Sequence, residues 1–366
     1  MIPPEIGTFL GLTSFKMYGN KVQTLPPELF NCKNLSLVDF GKNTLIAFPP
    51  NLCRITTLKE ISLEWNRISS VPREISYLTG LVTLDLSANE LVDLPDSFGN
   101  LQSLQTLNLS TNYFQSVPSG IKGLCNLRSL NMSFNSIYDM PEDIFNLLGL
   151  LTKVDLSRNK IGRLPQSVGA LKKMSVLNVS WNNLQFIPES IGSLGESLKE
   201  LDISHNRIRA LPSTLGQLKS LRMLYAFNNS IEKIDPESFE GLDSLIELDL
   251  ENNLFCGTSP FKDSLLKLKE LQIFRVSNNS LNDLPLLPEG IVNKIVQKYF
   301  FLPFISFITF IIIIIFLNIY SFLPFNHFNP FTIFDFNSIS IIFFVLNEYL
   351  FTFLFYTIYH IIHLIL

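Results

Sequence analysis

Apolar residues recur along most of this chain in a fixed frame that is neither helical nor a simple alternation. A repeated asparagine marks the frame, at Asn20, Asn43, Asn66, Asn89, Asn112, Asn135, Asn159, Asn182, Asn206, Asn229, Asn253 and Asn279. Successive asparagines are 23, 23, 23, 23, 23, 24, 23, 24, 23, 24 and 26 residues apart, so twelve units follow one another. In the fourth unit the apolar slots are Leu81, Leu84, Leu86, Leu91 and Leu94, and Pro95 follows them. The step from Leu84 to Leu86 has period two, which predicts a short strand with its leucines inward and the residues between them outward. One unit cannot bury that apolar face alone. Stacked units bury it against each other, and stability becomes a sum of unit and nearest-neighbour terms.

At the bend after each strand, backbone groups lack partners, and a carboxamide both donates and accepts, so the twelve asparagines are read as scaffold. Proline after an apolar residue, as at Pro26, Pro72, Pro95, Pro165 and Pro212, predicts the first position of a short convex helical turn. Extra residues of the longer units fall at 146–151 and 193–198, on the convex side, and residues 256–261 are expected to lengthen a convex loop. The LxxLxLxxNxL spacing matches the signature of leucine-rich repeats. The expected fold is therefore α/β: a right-handed leucine-rich-repeat solenoid (horseshoe) with a parallel concave sheet and short helical or 3-10 convex turns, followed by one or two hydrophobic C-terminal helices. The solenoid occupies residues 1–287, a linker or C-terminal cap 288–298, and a hydrophobic tail 299–366.

Stretches such as LPDSFGNLQSLQTLNLSTNYF and LPQSVGALKKMSVLNVSWNNL resemble the typical repeats of intracellular Ras-associated proteins over residues 2–287. That class includes Ras-suppressor-like scaffolds, plant intracellular Ras-group proteins and the repeat region of fungal adenylate cyclases. The resemblance implies a non-enzymatic scaffold in intracellular signalling whose concave face takes a folded partner, a Ras-like GTPase or a phosphatase. Some members join such arrays to a cyclase or phosphatase domain, so a truncated targeting region of a larger enzyme is a second implication.

Candidate binding residues come from the repeat frame. The central outward strand position holds Lys16, Asp39, Ser62, Asp85, Asn108, Asn131, Asp155, Asn178, Asp202, Tyr225, Asp249 and Arg275. Asp85, Asp155 and Asp202 there either meet a partner or stay solvated as repeat consensus. A second stripe, read as a solvent-facing strand position nearer the asparagine, presents Trp65, Phe134, Arg158, Trp181 and His205, with Tyr225 and Phe227 beside it. Aromatic residues and Arg anchor protein interfaces; the competing reading is that these rings pack on one another. His205 has no second His or Cys in its repeat frame, which favours a surface residue over a metal ligand. At strand spacings of about 4.8 Å, twelve units give an arc on the order of 50 Å, enough for a small folded domain. The tenth unit departs from the usual LDLS with Leu224-Tyr225-Ala226-Phe227.

Net charge is -4, all 28 Lys and Arg precede Tyr299, and the tail carries only Asp335 and Glu348 as charges, a balance that does not attract nucleic acid. Cys32, Cys53, Cys125 and Cys256 are scattered without a CxxC pair, which fits a reducing compartment. The chain opens in the middle of a repeat, without a basic segment and long apolar core of a signal peptide. A Gly-rich phosphate loop, HExxH and a nucleophile elbow are all lacking, so neither enzymatic activity, cofactor, metal nor small-molecule substrate is expected.

Residues 299–325 are uncharged and exceed the roughly 20 apolar residues that cross a bilayer. Candidate membrane helices run over about 301–323 and 339–362, with Glu348 inside the second. Lys294 and Lys298 flank the first, and the 324–338 connection has no Lys or Arg, which orients the repeats to the cytosol. An extracellular-facing receptor is the alternative, motivated by the tail and by six Asn-x-Ser matches at Asn34, Asn108, Asn131, Asn178, Asn228 and Asn278. The tail's 17 Phe and 16 Ile, without Gly, Ala, Lys or Arg, also fit translated AT-rich non-coding sequence, in which case the protein is cytoplasmic.

Overall fold

The computed structural model describes residues 2–257, 261 and 264–282; the expected linker and hydrophobic helices lie outside them. Among the described residues no helix is long and apolar enough to cross a membrane.

Twelve three-residue strands form one parallel sheet in chain order. They are β1 (Ser14–Lys16), β2 (Leu37–Asp39), β3 (Glu60–Ser62), β4 (Thr83–Asp85), β5 (Thr106–Asn108), β6 (Ser129–Asn131), β7 (Lys153–Asp155), β8 (Val176–Asn178), β9 (Glu200–Asp202), β10 (Met223–Tyr225), β11 (Glu247–Asp249) and β13 (Ile273–Arg275). Each pairs in register with its neighbours, so Leu84 lies beside Ile61 and Leu107. The central residue of each strand from Val38 to Phe274 is buried, and the residues beside it face outward. Short 3-10 turns such as Pro27–Asn31, Asp96–Asn100 and Gln166–Ala170 form the opposite layer, with Leu29, Phe98 and Val168 turned into the core.

The prolines sit one position earlier than expected. Pro26, Pro95 and Pro165 are extended residues just ahead of the turns, near φ -70° and ψ 147°. Their carbonyls accept the first hydrogen bond of the turn, as from the Phe98 amide at 2.8 Å. A residue with fixed φ and no N–H loses nothing in that extended position. At the start of the 256–261 segment, Cys256–Gly257 (β12) pairs in parallel with Ser280–Leu281 (β14), forming a second small sheet after the bend; residues 258–260, where a longer convex loop is expected, lie outside the described residues. The turn layer packs tightly where glycines face each other, since a Cβ on Gly123 would lie 2.7 Å from the Gly99 Cα.

The bends are tied by the asparagines. The Asn112 Nδ2 donates to the carbonyls of Leu109 and Ser110 in its own repeat and Leu86 in the previous one, at 3.1, 3.2 and 2.9 Å. Its Oδ1 accepts the Leu91 amide at 3.0 Å. The same pattern runs from Asn43 to Asn279, whereas Asn20 bonds, among the described residues, the Met17 and Tyr18 carbonyls alone.

The residue before each ladder asparagine from Asn43 onward has a left-handed backbone: Lys42, Trp65, Ala88, Thr111, Phe134, Arg158, Trp181, His205, Asn228, Asn252 and Asn278, all with φ between 51° and 56°. Non-glycine residues in that region lose roughly 1–2 kcal/mol each. From Lys42 to Asn252 the amide of each is held by the next repeat, as from Thr111 to the Ser133 carbonyl at 2.9 Å, so the array imposes the conformation.

Two stability outcomes follow. Asn112→Ala is expected to lower unfolding free energy by about 2–4 kcal/mol, because it strands buried backbone groups of two repeats; a loss under about 0.5 kcal/mol in denaturant titration contradicts the ladder. Thr111→Gly is expected to stabilise by about 1 kcal/mol, since a β-branched residue is least suited to positive φ. A lower melting temperature in calorimetry would show the bend to be unstrained.

Candidate functional site

The outward column at the end of each strand is held by local hydrogen bonds. The Asp85 Oδ1 accepts the Ser87 amide at 2.8 Å and the Ser87 hydroxyl at 2.6 Å. Asp202 does the same with Ser204, at 3.0 and 2.6 Å, and Asp155 accepts the Ser157 amide at 2.9 Å. Asn108, Asn131 and Asn178 accept from Ser110, Ser133 and Ser180 in the same way. These Asx turns lead the chain from the strand into its left-handed bend. Asp85, Asp155 and Asp202 thus each commit one oxygen to the backbone turn, and the second Asp85 oxygen also accepts the Asn108 amide at 2.9 Å.

The aromatic stripe is not on the strands. Trp65, Phe134, Arg158, Trp181 and His205 occupy the left-handed bend position, after the strand has ended. There the backbone turns away from the sheet and projects the side chain outward. Five residues from consecutive repeats meet in one unbroken stack. The Arg158 guanidinium lies between two rings, 4.9 Å from the centre of Phe134 and 4.6 Å from that of Trp181. The Trp181 and His205 rings stack at 3.7 Å with 16° between planes, and His205 meets Phe227 edge-on at 5.1 Å. Packing among the rings and outward exposure therefore coexist: Trp181 remains 45% exposed within the stack. Trp65 stands apart at 64% exposure, because the two intervening repeats have Ala88 and Thr111 at the bend.

Tyr225, the last residue of β10, lies two residues before Phe227 and belongs to a polar cluster. Its hydroxyl donates to the Glu247 carboxylate at 3.3 Å, and Arg275 bridges Glu247 and Asp249. Burial, then the adjacent Glu247 charge, pushes the Tyr225 hydroxyl up to about 12. Burial likewise raises the buried Asp249 carboxyl, although the Glu251 amide and Arg275 oppose it. His205 is held below its ordinary 6.5, chiefly by desolvation in the stack and further by Arg158, while Asp202 pulls the other way. The Asn228 carboxamide nitrogen is 3.2 Å from His205 Nε2, which suits an amide donating to a neutral ring.

On the segment between the ladder asparagine and the next proline, three exposed aromatic residues escaped the sequence reading: Tyr113, Tyr138 and Phe186. They lie one, three and four positions after ladder asparagines, slots that the apolar frame leaves outside the core. That offset is the signal that identifies them. Among the described residues no group of three His, Cys, Asp or Glu side chains could hold a metal ion.

The family described as "Leucine-rich repeat region" matches residues 11–134, and "Leucine rich repeat" matches 125–184 and 172–231. No curated protein matches the sequence significantly. Among solved structures, a leucine-rich-repeat protein of Leptospira interrogans is 26% identical, with a TM-score of 0.62 over 78% of this chain and 83% of that one. The repeat protein FLRT2, solved in an octameric complex with Latrophilin 3 and Unc5D, shares the fold at 24% identity and a TM-score of 0.67, over 76% and 86%. The Arabidopsis receptor kinase HAESA, solved with the peptide hormone IDA and the co-receptor SERK1, is 25% identical with a TM-score of 0.57; the match covers 77% of this chain and 52% of that one.

The depressed His205 value makes a pH prediction. Folding favours the neutral ring, so its contribution to stability is present above pH 6.5 and is lost as pH falls through the folded value. An NMR titration of the ring should place its midpoint below 6.5, and Trp181→Ala should move it back upward. A midpoint at or above 6.5 in the intact chain contradicts the stacked, desolvated environment.

Proposed function

Because the chain is a leucine-rich-repeat protein, we propose that it is a non-enzymatic protein-interaction scaffold whose binding face centres on the stack from Phe134 to Phe227. The single observation that carries this reading is the continuity of that stack. Rings and a guanidinium from five consecutive repeats form one outward-facing surface, four of them at left-handed bends and Phe227 one residue before the bend at Asn228, positions that the core does not require to be aromatic. Large aromatic residues and Arg, clustered and pre-packed, lose little side-chain freedom on association and make strong interface anchors.

Within this reading the partner is a folded protein of intracellular signalling, a Ras-like GTPase or a phosphatase, and the repeats face the cytosol. The repeat resemblance and four free thiols support that setting. The hydrophobic tail supplies a membrane tether. The alternative of a targeting region for a larger phosphatase or cyclase shares the same binding face. The receptor reading is favoured by the likeness to HAESA, a protein solved with a peptide ligand. Against it stand the matches at Asn108, Asn131 and Asn178, whose side chains are engaged in strand-end turns. Glycosidase-sensitive mobility in native membranes would favour the receptor; unmodified protein would disfavour it.

The triple variant Phe134→Ala, Trp181→Ala, Phe227→Ala is expected to lose the partners that the wild-type chain recovers by crosslinking in native cells, while Trp65→Ala retains them. Full retention by the triple variant, with its fold intact by circular dichroism, removes the stack as the binding face.

A further inference from the structure

Between each ladder asparagine and the next turn-capping proline runs a flank whose charge varies from repeat to repeat. The fourth repeat places Glu90 and Asp93 there, and the sixth places Asp139. The seventh carries Lys160 and Arg163 after its bend residue Arg158, and the ninth carries Arg207 and Arg209 after His205. No Asp or Glu occurs at 156–188 or at 203–212. All five cations are exposed, and none joins an ion pair among the described residues. The eighth repeat, between them, adds the exposed rings of Trp181 and Phe186.

Like charges grouped this way repel one another, and the core makes no use of them. With strands about 4.8 Å apart, the seventh and ninth repeats stand about 10 Å apart, a distance that roughly three residues of extended chain span. We propose that the flank of the seventh to ninth repeats docks a short acidic, aromatic-containing segment of a protein, its carboxylates on the cations and its ring beside Trp181 and Phe186. The proposal rests on reading this face as protein-binding and adds the chemistry of what it binds. A short acidic segment suits the patch better than a nucleic acid does, because Asp155, Glu200 and Asp202 on the adjoining strands repel a phosphate chain running across the sheet. The net charge of -4 conceals the patch, since acidic flanks such as that of Glu90 and Asp93 offset the basic ones.

The test uses the full chain in mild detergent and follows the fluorescence anisotropy of a labelled peptide of Glu-Glu-Tyr repeats. Arg163→Glu with Arg209→Glu is expected to weaken binding about tenfold, and added salt should weaken the wild type. Lys172→Glu with Lys173→Glu, an equal charge change on the turn layer, is expected to change binding less than about twofold. Equal loss from both pairs, no loss from the first, or tighter binding of an oligothymidylate of matched charge overturns the proposal. Peptide binding that falls with the flank reversal while the Phe134, Trp181 and Phe227 variant keeps every partner supports the flank and removes the stack. Loss of partners with that variant and peptide binding untouched by the reversal does the opposite.

Discussion

The structure depends on the hydrogen bonds of one carboxamide repeated along the array. Each ladder asparagine from Asn43 onward ties three carbonyls and one amide across two repeats, closing a bend whose backbone would otherwise be buried and unpaired. These bonds fix where the strand stops and how the next repeat sits on it. Leucine packing supplies the driving force, but leucines alone do not dictate a bend. The ladder also explains why left-handed conformations persist at eleven non-glycine positions among the described residues. Several inter-repeat hydrogen bonds hold each one against an intrinsic preference of roughly 1–2 kcal/mol.

That constraint places the candidate site. A residue at the left-handed bend leaves the sheet and carries its side chain outward, at a spacing set by the stacking of the repeats. Successive bends are close enough for Arg158 to lie between Phe134 and Trp181, and for Trp181 to stack on His205. Side chains at this position are free to vary because the core does not see them. The array thus separates two tasks: buried slots and asparagines hold the fold, and bend and flank residues define a surface.

Much of the fold was legible in the sequence, because its determinants repeat. The asparagine frame marked the twelve strands, and the alternating leucines marked which residues turn inward. The bend conformation was not legible, since Lys42, Trp65, Ala88 and Thr111 share no chemistry and their φ comes from hydrogen bonds to the next repeat. Asn228, Asn252 and Asn278 were the available hint, as asparagine tolerates that region. The prolines were displaced by one residue because an extended cap and a first helical position both suit their fixed φ. Residues of the stripe were recognised, but their conjunction depends on side-chain directions that spacing does not reveal. The Asp-x-Ser turns were written in the consensus and read as open surface, since a local bond from Asp202 to Ser204 leaves no trace in hydrophobic patterning. The basic flank was lost in the chain's overall charge.

The central claim is that the bend stack, not the turn layer, is where a partner docks. Photo-crosslinking amino acids placed singly at Trp181 and at Tyr77, which is more open still but lies in a 3-10 turn, test it most directly in the full chain expressed in its own cells. The account predicts a discrete protein adduct from position 181 and none from position 77. An adduct from position 77 with none from 181 contradicts it and moves the binding surface to the opposite layer.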